Sequence, residues 1–234
     1  MGSRSGTAGA TPSSGRAPTA AGHAIYTPAF LRLYDPLVLG LFGPLVWRCP
    51  TRRLVAHYTR HAGRRHLDVG PGTGYFLARA RLPAGARVVL LDPNPHVLAH
   101  AAARLAPLCP AAIRADVLDP LPLAGRFDSV ALNYVLHCLP GPMARRAPAA
   151  RNLAALLAPG GVLFGATVLG SPARHTRLSR ALLESNNRRG IFDNRADTED
   201  GLRALLGASF AALDVELVGS VAVFAATAPR HQAP

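Results

Sequence analysis

Lysine is absent from this chain of 234 residues, and only 13 residues are acidic, so its formal charge of +13 rests on arginine. Without lysine there is no G-x-x-x-x-G-K-[ST] phosphate loop. The arginines are scattered among abundant alanine, glycine and proline, with no dense basic block and no interleaved aromatics. That pattern reads as compositional bias, and a nucleic-acid partner is not expected despite the charge. Cysteine is scarce: Cys49, Cys109 and Cys138 are an odd number without a C-x-x-C pair. This excludes a zinc knuckle and a disulfide framework, and a reducing, cytoplasmic compartment is expected. No cluster of metal ligands stands out. Long apolar runs are missing too. The run from Pro36 to Trp47, almost all apolar, is too short to span a bilayer. It reads as a core-facing helix or as one wall of an apolar substrate pocket. No secretory apolar region opens the chain. The myristoylation pattern fails because Gly6 stands where Ser or Thr is needed. An organellar transit peptide has only two arginines, Arg4 and Arg16, to support it.

The length suits one α/β domain with a sizeable core. Residues 1–22 are Gly, Ser, Ala, Thr and Pro with little to bury, and a disordered tail is expected there. Residues 23–64 read as a helical cap. Thr27 and Pro28 can open its first helix, Pro36 and Pro44 divide it, and Thr51 can cap a helix to about Arg60. Residues 65–229 read as the α/β core, and 230–234 as a second short tail. Within the core, apolar runs alternate with helical stretches. Strands are expected at Arg65–Val69, Ala86–Asp92, Ala112–Val117, Phe127–Asn133 and Val162–Val168. Helices are expected from about Asn94 to Leu105 and from about Met143 to Leu157, the second ending at Pro159-Gly160-Gly161. Near-continuous apolar strands indicate a parallel sheet buried on both faces. A polar helical segment then covers Ser171 to Arg189, and Asp197 can cap a helix from Thr198 to Leu206. Strands Ala212–Val218 and Ser220–Ala226 close the chain as a hairpin, with Gly219 alone between them.

The most informative stretch is His66 to Phe76, where a strand runs into Asp68, then Gly70-Pro71-Gly72-Thr73-Gly74, then a helix from Tyr75. Three glycines in a strand-turn-helix setting let a ligand approach the backbone. A dinucleotide fingerprint fails, because its third glycine position falls on Tyr75. What remains is Asp-x-Gly-x-Gly-x-Gly. That resembles motif I of the class I S-adenosylmethionine (SAM) methyltransferases. The resemblance extends over Tyr26 to Thr227. Val-Leu-Leu-Asp-Pro-Asn is similar to the family's second motif. Phe-Asp-Ser-Val ahead of Asn-Tyr-Val-Leu-His-Cys-Leu is similar to its fourth. Leu-Leu-Ala-Pro-Gly-Gly-Val-Leu resembles the turn into strand 5. The likeness is strongest to small-molecule enzymes of the ubiquinone/menaquinone and secondary-metabolite type.

The resemblance implies a single Rossmann-like domain with a seven-stranded, mostly parallel sheet, an antiparallel C-terminal hairpin and an N-terminal helical cap. It implies SAM as cofactor and a methyl group moved to a small, partly apolar acceptor. Asp68 would hold the ligand's amino-acid end, and Gly70, Pro71, Gly72 and Gly74 would admit its body. Asp92, with Pro93 and Asn94 behind it, can accept the ribose hydroxyls, or can cap a helix. Asp116 can accept the adenine amine with the Val117 backbone beside it, or is an ordinary loop carboxylate. Asn133 joins the cofactor side. His137, just past strand 4, is the best-placed titratable group for a general base, with a structural role as the alternative. Tyr26, Tyr34 and Trp47 can line the acceptor site or pack the core. Two other readings stand beside this one. A SAM-binding relative without methyl transfer would carry the same motifs. A nucleic-acid methyltransferase is motivated by charge alone. The Asn133-Tyr134-Val135 run departs from the Asn/Asp-Pro-Pro-Tyr/Phe of those enzymes.

Overall fold

The computed structural model describes residues 44–171 and 174–230. The expectations for the tail at 1–22, for the cap before Pro44 and for residues 231–234 therefore lie outside the described residues.

Among the described residues the first α-helix, α1 (Thr51–His61), leads into β1 (Arg65–Val69) and the short α2 (Tyr75–Arg79). Then come β2 (Arg87–Leu91), α3 (Pro95–Arg104), β3 (Ala111–Ile113), β4 (Phe127–Asn133), α4 (Ala147–Ala155) and β5 (Leu157–Val168). Helices α5 (Arg177–Arg188) and α6 (Glu199–Gly207) precede the hairpin of β6 (Phe210–Val218) and β7 (Val221–Pro229). The seven strands lie in the order β3-β2-β1-β4-β5-β7-β6. The first five pair in parallel, while β7 runs antiparallel between β5 and β6. This is the mostly parallel sheet with a terminal hairpin that the motifs imply.

Alternation along β1 sorts its side chains to two faces. Leu67 and Val69 join the core under α4 and α6. The other face carries Leu90, Ala131 and Phe164 beneath Tyr58, Leu77 and Leu98 of α1, α2 and α3. So α1, read from sequence as part of the cap, packs into the core through Tyr58. Trp47 is buried with Leu54, Val168 and Leu183 in a third cluster. Tyr26 and Tyr34 lie outside the described residues.

Several boundaries move, each for a local reason. β3 stops at Ile113, because Asp116 Oδ1 accepts the Leu118 amide and turns the chain. The helix expected over 143–157 begins as a 3-10 turn, Met143–Arg146, and α4 ends at Ala155. β5 then starts before Pro159-Gly160-Gly161 and takes the extra residues as a register shift against β4, with Gly160 at φ 75°. α1 has Pro50, not Thr51, at its cap position. α6 is capped by Thr198, which accepts from Gly201 N; Asp197 faces Arg146 instead. The hairpin turn holds two residues, Gly219 and Ser220, as short hairpins require. Gly219 has φ 62°, and a Cβ there would collide with the Trp47 carbonyl.

Candidate functional site

Strand order reverses between β1 and β4, since β2 lies on one side of β1 and β4 on the other. Open α/β sheets bind ligands at such a point, outside the carboxyl ends of the strands. Two adjoining hollows meet there. One, about 660 Å³ and open to solvent, is bordered by Gly70, Gly72, Asp92, Pro93, Asp116 and Val117 on one side, with Tyr134, Val135, Cys138 and Leu139 opposite. The other, about 370 Å³, is bordered by Asp68, Pro71, Tyr75, Phe76 and Asn133 among others. Gly70, Gly72 and Tyr134 border both, so the hollows form one groove.

The glycines of the turn do different work. Gly72 has φ 55°, and no atom lies within 4 Å of the place a Cβ would take, so its backbone faces open space. At Gly70, φ is 65° and a Cβ would strike Val135 Cγ2, so the turn and the loop after β4 touch there. Gly74 lies outside the groove's border; it packs the start of α2 against Leu105 and Ala101. Asn94 likewise stays out. Its side chain accepts from His96 N and caps α3, while its own amide donates to Asp92 Oδ1 at 2.7 Å. Of the residues expected to hold a cofactor, the fold thus gathers Asp68, Gly70, Pro71, Gly72, Asp92, Pro93, Asp116, Val117 and Asn133. Gly74 and Asn94 support them from behind.

The groove's electrostatics oppose those of the whole chain. Burial raises the Asp68 carboxyl to about 7, against the Tyr58 hydrogen bond that lowers it and with the Asp92 charge adding to the rise. Burial likewise raises Asp92 to about 7, with the Asn94 amide lowering it and Asp116 raising it. Desolvated carboxyls at a groove's edge favour a ligand bearing positive charge or hydroxyl donors. Asn133 Nδ2 is buried without a hydrogen-bond partner among the described residues, which also suits a ligand acceptor. No group of three or more metal-ligating side chains occurs among the described residues. These carboxyls fit a small cationic nucleoside better than a phosphate, and the chain has no lysine for a phosphate loop.

His137 sits in a 3-10 turn, Leu136–Cys138, after β4. It is 3% exposed and packs its ring against Phe192 at 4.4 Å. Nδ1 accepts the Val168 amide at 3.2 Å and lies 3.2 Å from Thr167 Oγ1. Nδ1 is therefore the acceptor side, and the neutral ring carries its proton on Nε2. Burial, helped by the Arg146 charge, lowers its pKa to about 3. A general base needs an unoccupied lone pair and a pKa near working pH. This geometry supplies neither, and the structural role is the one the contacts support.

Two tyrosines at or behind the groove have a geometry that the sequence does not show. Tyr134 borders both hollows at φ 57°, an unusual conformation for a bulky residue and one that re-aims the chain after β4. Tyr58 reaches Asp68 from α1, ten residues earlier, and no spacing rule would have connected them.

A family model described as a methyltransferase domain matches residues 67–163. Demethylluteothin O-methyltransferase of Streptomyces thioluteus is 40% identical over 207 residues, covering 88% of this chain and 90% of that protein. The physcion biosynthesis cluster O-methyltransferase of Aspergillus chevalieri is 37% identical over 216 residues, covering 91% and 97%. Among solved structures, N-methyltransferase NodS from Bradyrhizobium japonicum with S-adenosyl-L-homocysteine is similar at a TM-score of 0.60. At 18% identity, over 87% of this chain and 96% of that one, this likeness is one of fold.

Proposed function

The chain belongs to the class I SAM-dependent methyltransferases, and from that premise we propose that it methylates a hydroxyl oxygen on a small, partly apolar acceptor of secondary metabolism. The observation that carries the reading is the groove at the β1–β4 reversal, where Asp68, Asp92 and Asp116 surround the open backbone at Gly72. The preference for oxygen leans on the named activities of the relatives.

When bound, SAM supplies a methyl group activated by its sulfonium. Asp68 would hold the cofactor's amino-acid end and Asp92 its ribose hydroxyls. Asp116 and the Val117 backbone would meet the base, and Asn133 Nδ2 would donate to an acceptor on the ligand. Tyr134, Val135, Cys138 and Leu139 would form the wall that excludes water beside the reacting centre. Burial pushes the Cys138 thiol up to about 12, so it stays protonated and does not compete for the methyl group. Holding two reactants in line supplies about 7–11 kcal/mol of a barrier. Alignment is thus the main task, and the acceptor would give up its proton before it enters the groove rather than to His137. A cytoplasmic location belongs to the same proposal, supported by three free cysteines among the described residues.

The test is product analysis by mass spectrometry after incubation with SAM and a panel of small phenols and enols. S-adenosylhomocysteine and an O-methylated product should form in equal amounts. Tight SAM binding with no turnover on any acceptor would favour the non-transferring alternative. In the same assay, His137→Ala should keep a measurable rate with an unchanged acidic limb of its pH profile. Loss of that limb would restore His137 as the base.

A further inference from the structure

Behind motif I, four side chains from three elements form one continuous hydrogen-bonded line. Tyr58 of α1 lies 2.9 Å from Asp68 Oδ2 and 2.6 Å from His66 Nε2. His66 Nδ1 lies 2.8 Å from Ser129 Oγ on β4. Ser129 Oγ accepts the Gly63 amide at 2.7 Å. All four side chains are buried, with His66 and Ser129 at 0% exposure.

The order of donors in this line is constrained. Ser129 Oγ accepts the Gly63 amide, and an ionised Asp68 can only accept from the Tyr58 O–H. A neutral imidazole has one donor and one acceptor, which leaves His66 Nε2–H to donate to Tyr58 and the Ser129 O–H to donate to His66 Nδ1. Every donor points toward the carboxylate, and such chains strengthen their members. The Tyr58 ring is itself fixed, stacked on Phe76 at 6.5 Å and edge-on to Phe164 at 5.1 Å. Phe76 borders the same hollow as Asp68.

We infer that Ser129, His66 and Tyr58 are positioning residues that hold Asp68 Oδ2 from behind and leave its other oxygen aimed at the cofactor's ammonium. This rests on the reading of Asp68 as the anchor of the amino-acid end. The line makes α1, which lies ahead of the glycine motif in the chain, a working part of the cofactor site. Burial of His66, which lowers its pKa to about 3, keeps the imidazole neutral and the donor order intact.

A pair of ligands separates positioning from mere packing. S-adenosylhomocysteine carries the amino-acid end, whereas 5′-methylthioadenosine keeps the adenosine and the sulfur without it. Calorimetry on wild type, Tyr58→Phe and Ser129→Ala reads both. Tyr58→Phe keeps the ring and removes only the hydroxyl. It should weaken S-adenosylhomocysteine by about tenfold to a hundredfold, the range for a hydrogen bond to a charged group. Its affinity for 5′-methylthioadenosine should be unchanged. Ser129→Ala should show the same selectivity with a smaller loss, and it provides the readout if Tyr58→Phe does not fold. Equal weakening of both ligands, or of neither, would overturn the positioning line. Wild type that binds both ligands equally well would instead overturn Asp68 as the anchor. Wild type that binds neither would overturn the cofactor groove.

Discussion

Asp92 Oδ1 is taken by the Asn94 amide at 2.7 Å, and the carboxyl sits at the mouth of the groove. Its second oxygen is the one a ribose hydroxyl would meet. Asp92→Ala should therefore weaken S-adenosylhomocysteine by roughly 1.5–3 kcal/mol, the cost of a hydrogen bond to a charged group. Calorimetry checks the affinity, and an unchanged value would return Asp92 to the turn before α3. A pH dependence follows from the same carboxyls. Asp68 and Asp92 both rise to about 7 through burial, so each is largely protonated below that pH in the unliganded protein. A ligand that prefers the charged carboxylates must expel those protons. Affinity should climb as pH rises toward about 7 and level off above it. Calorimetry at pH 6 in two buffers of different ionisation enthalpy should reveal proton release on binding; identical heats would contradict it.

Elements meet around the groove through a buried ion pair. Arg146, in the turn before α4, places Nη1 2.5 Å from Asp197 Oδ2. Its other amino group donates to the Gly141 carbonyl at 2.8 Å and to the Asp193 carbonyl. The Asp193 amide returns a hydrogen bond to the His137 carbonyl at 2.9 Å. The segment before α6 is thus fastened to the loop after β4, and Phe192 is pressed onto His137. Asp197→Ala would strand a buried guanidinium and should cost about 3–5 kcal/mol. That reads as a Tm fall of roughly 6–20 °C in a chain of this size. Thr198→Ala, which removes only the α6 cap, should cost about 1 kcal/mol. Scanning calorimetry of the two variants checks the contrast, and equal losses would contradict it. These elements also show what is legible from sequence. β1 and β4 are short strand-like runs set off by Gly63, Gly70 and Gly125, and their expected and observed bounds agree to the residue. β3 is shorter than its letters suggest, because strand-forming residues continue toward an Asp116 turn that pattern alone does not reveal. Asp92 and Asp116 are legible as groove residues, since strand ends and sheet order suffice to locate them. The Arg146–Asp197 pair joins residues 51 apart and Tyr58 reaches across to β1, and such contacts depend on packing that no local spacing encodes.

At the scale of the molecule, the charge of +13 and the site disagree in sign. The excess of arginine belongs to the whole chain, whereas the ligand groove is edged by Asp68, Asp92 and Asp116. A methyl donor with a positive sulfonium and an ammonium suits the groove, and the net charge need not describe the substrate. No helix among the described residues is long and apolar enough to cross a membrane. The central claim is that one groove, at the β1–β4 reversal, holds SAM by three aspartates around Gly72. A crystal structure with S-adenosylhomocysteine tests it most directly. The ribose should lie on Asp92, the base beside Asp116 and Val117, and the amino-acid end at Asp68, with the ligand passing over the Gly72 backbone. Density for the ligand elsewhere, or in this groove with its two ends exchanged, would contradict the account.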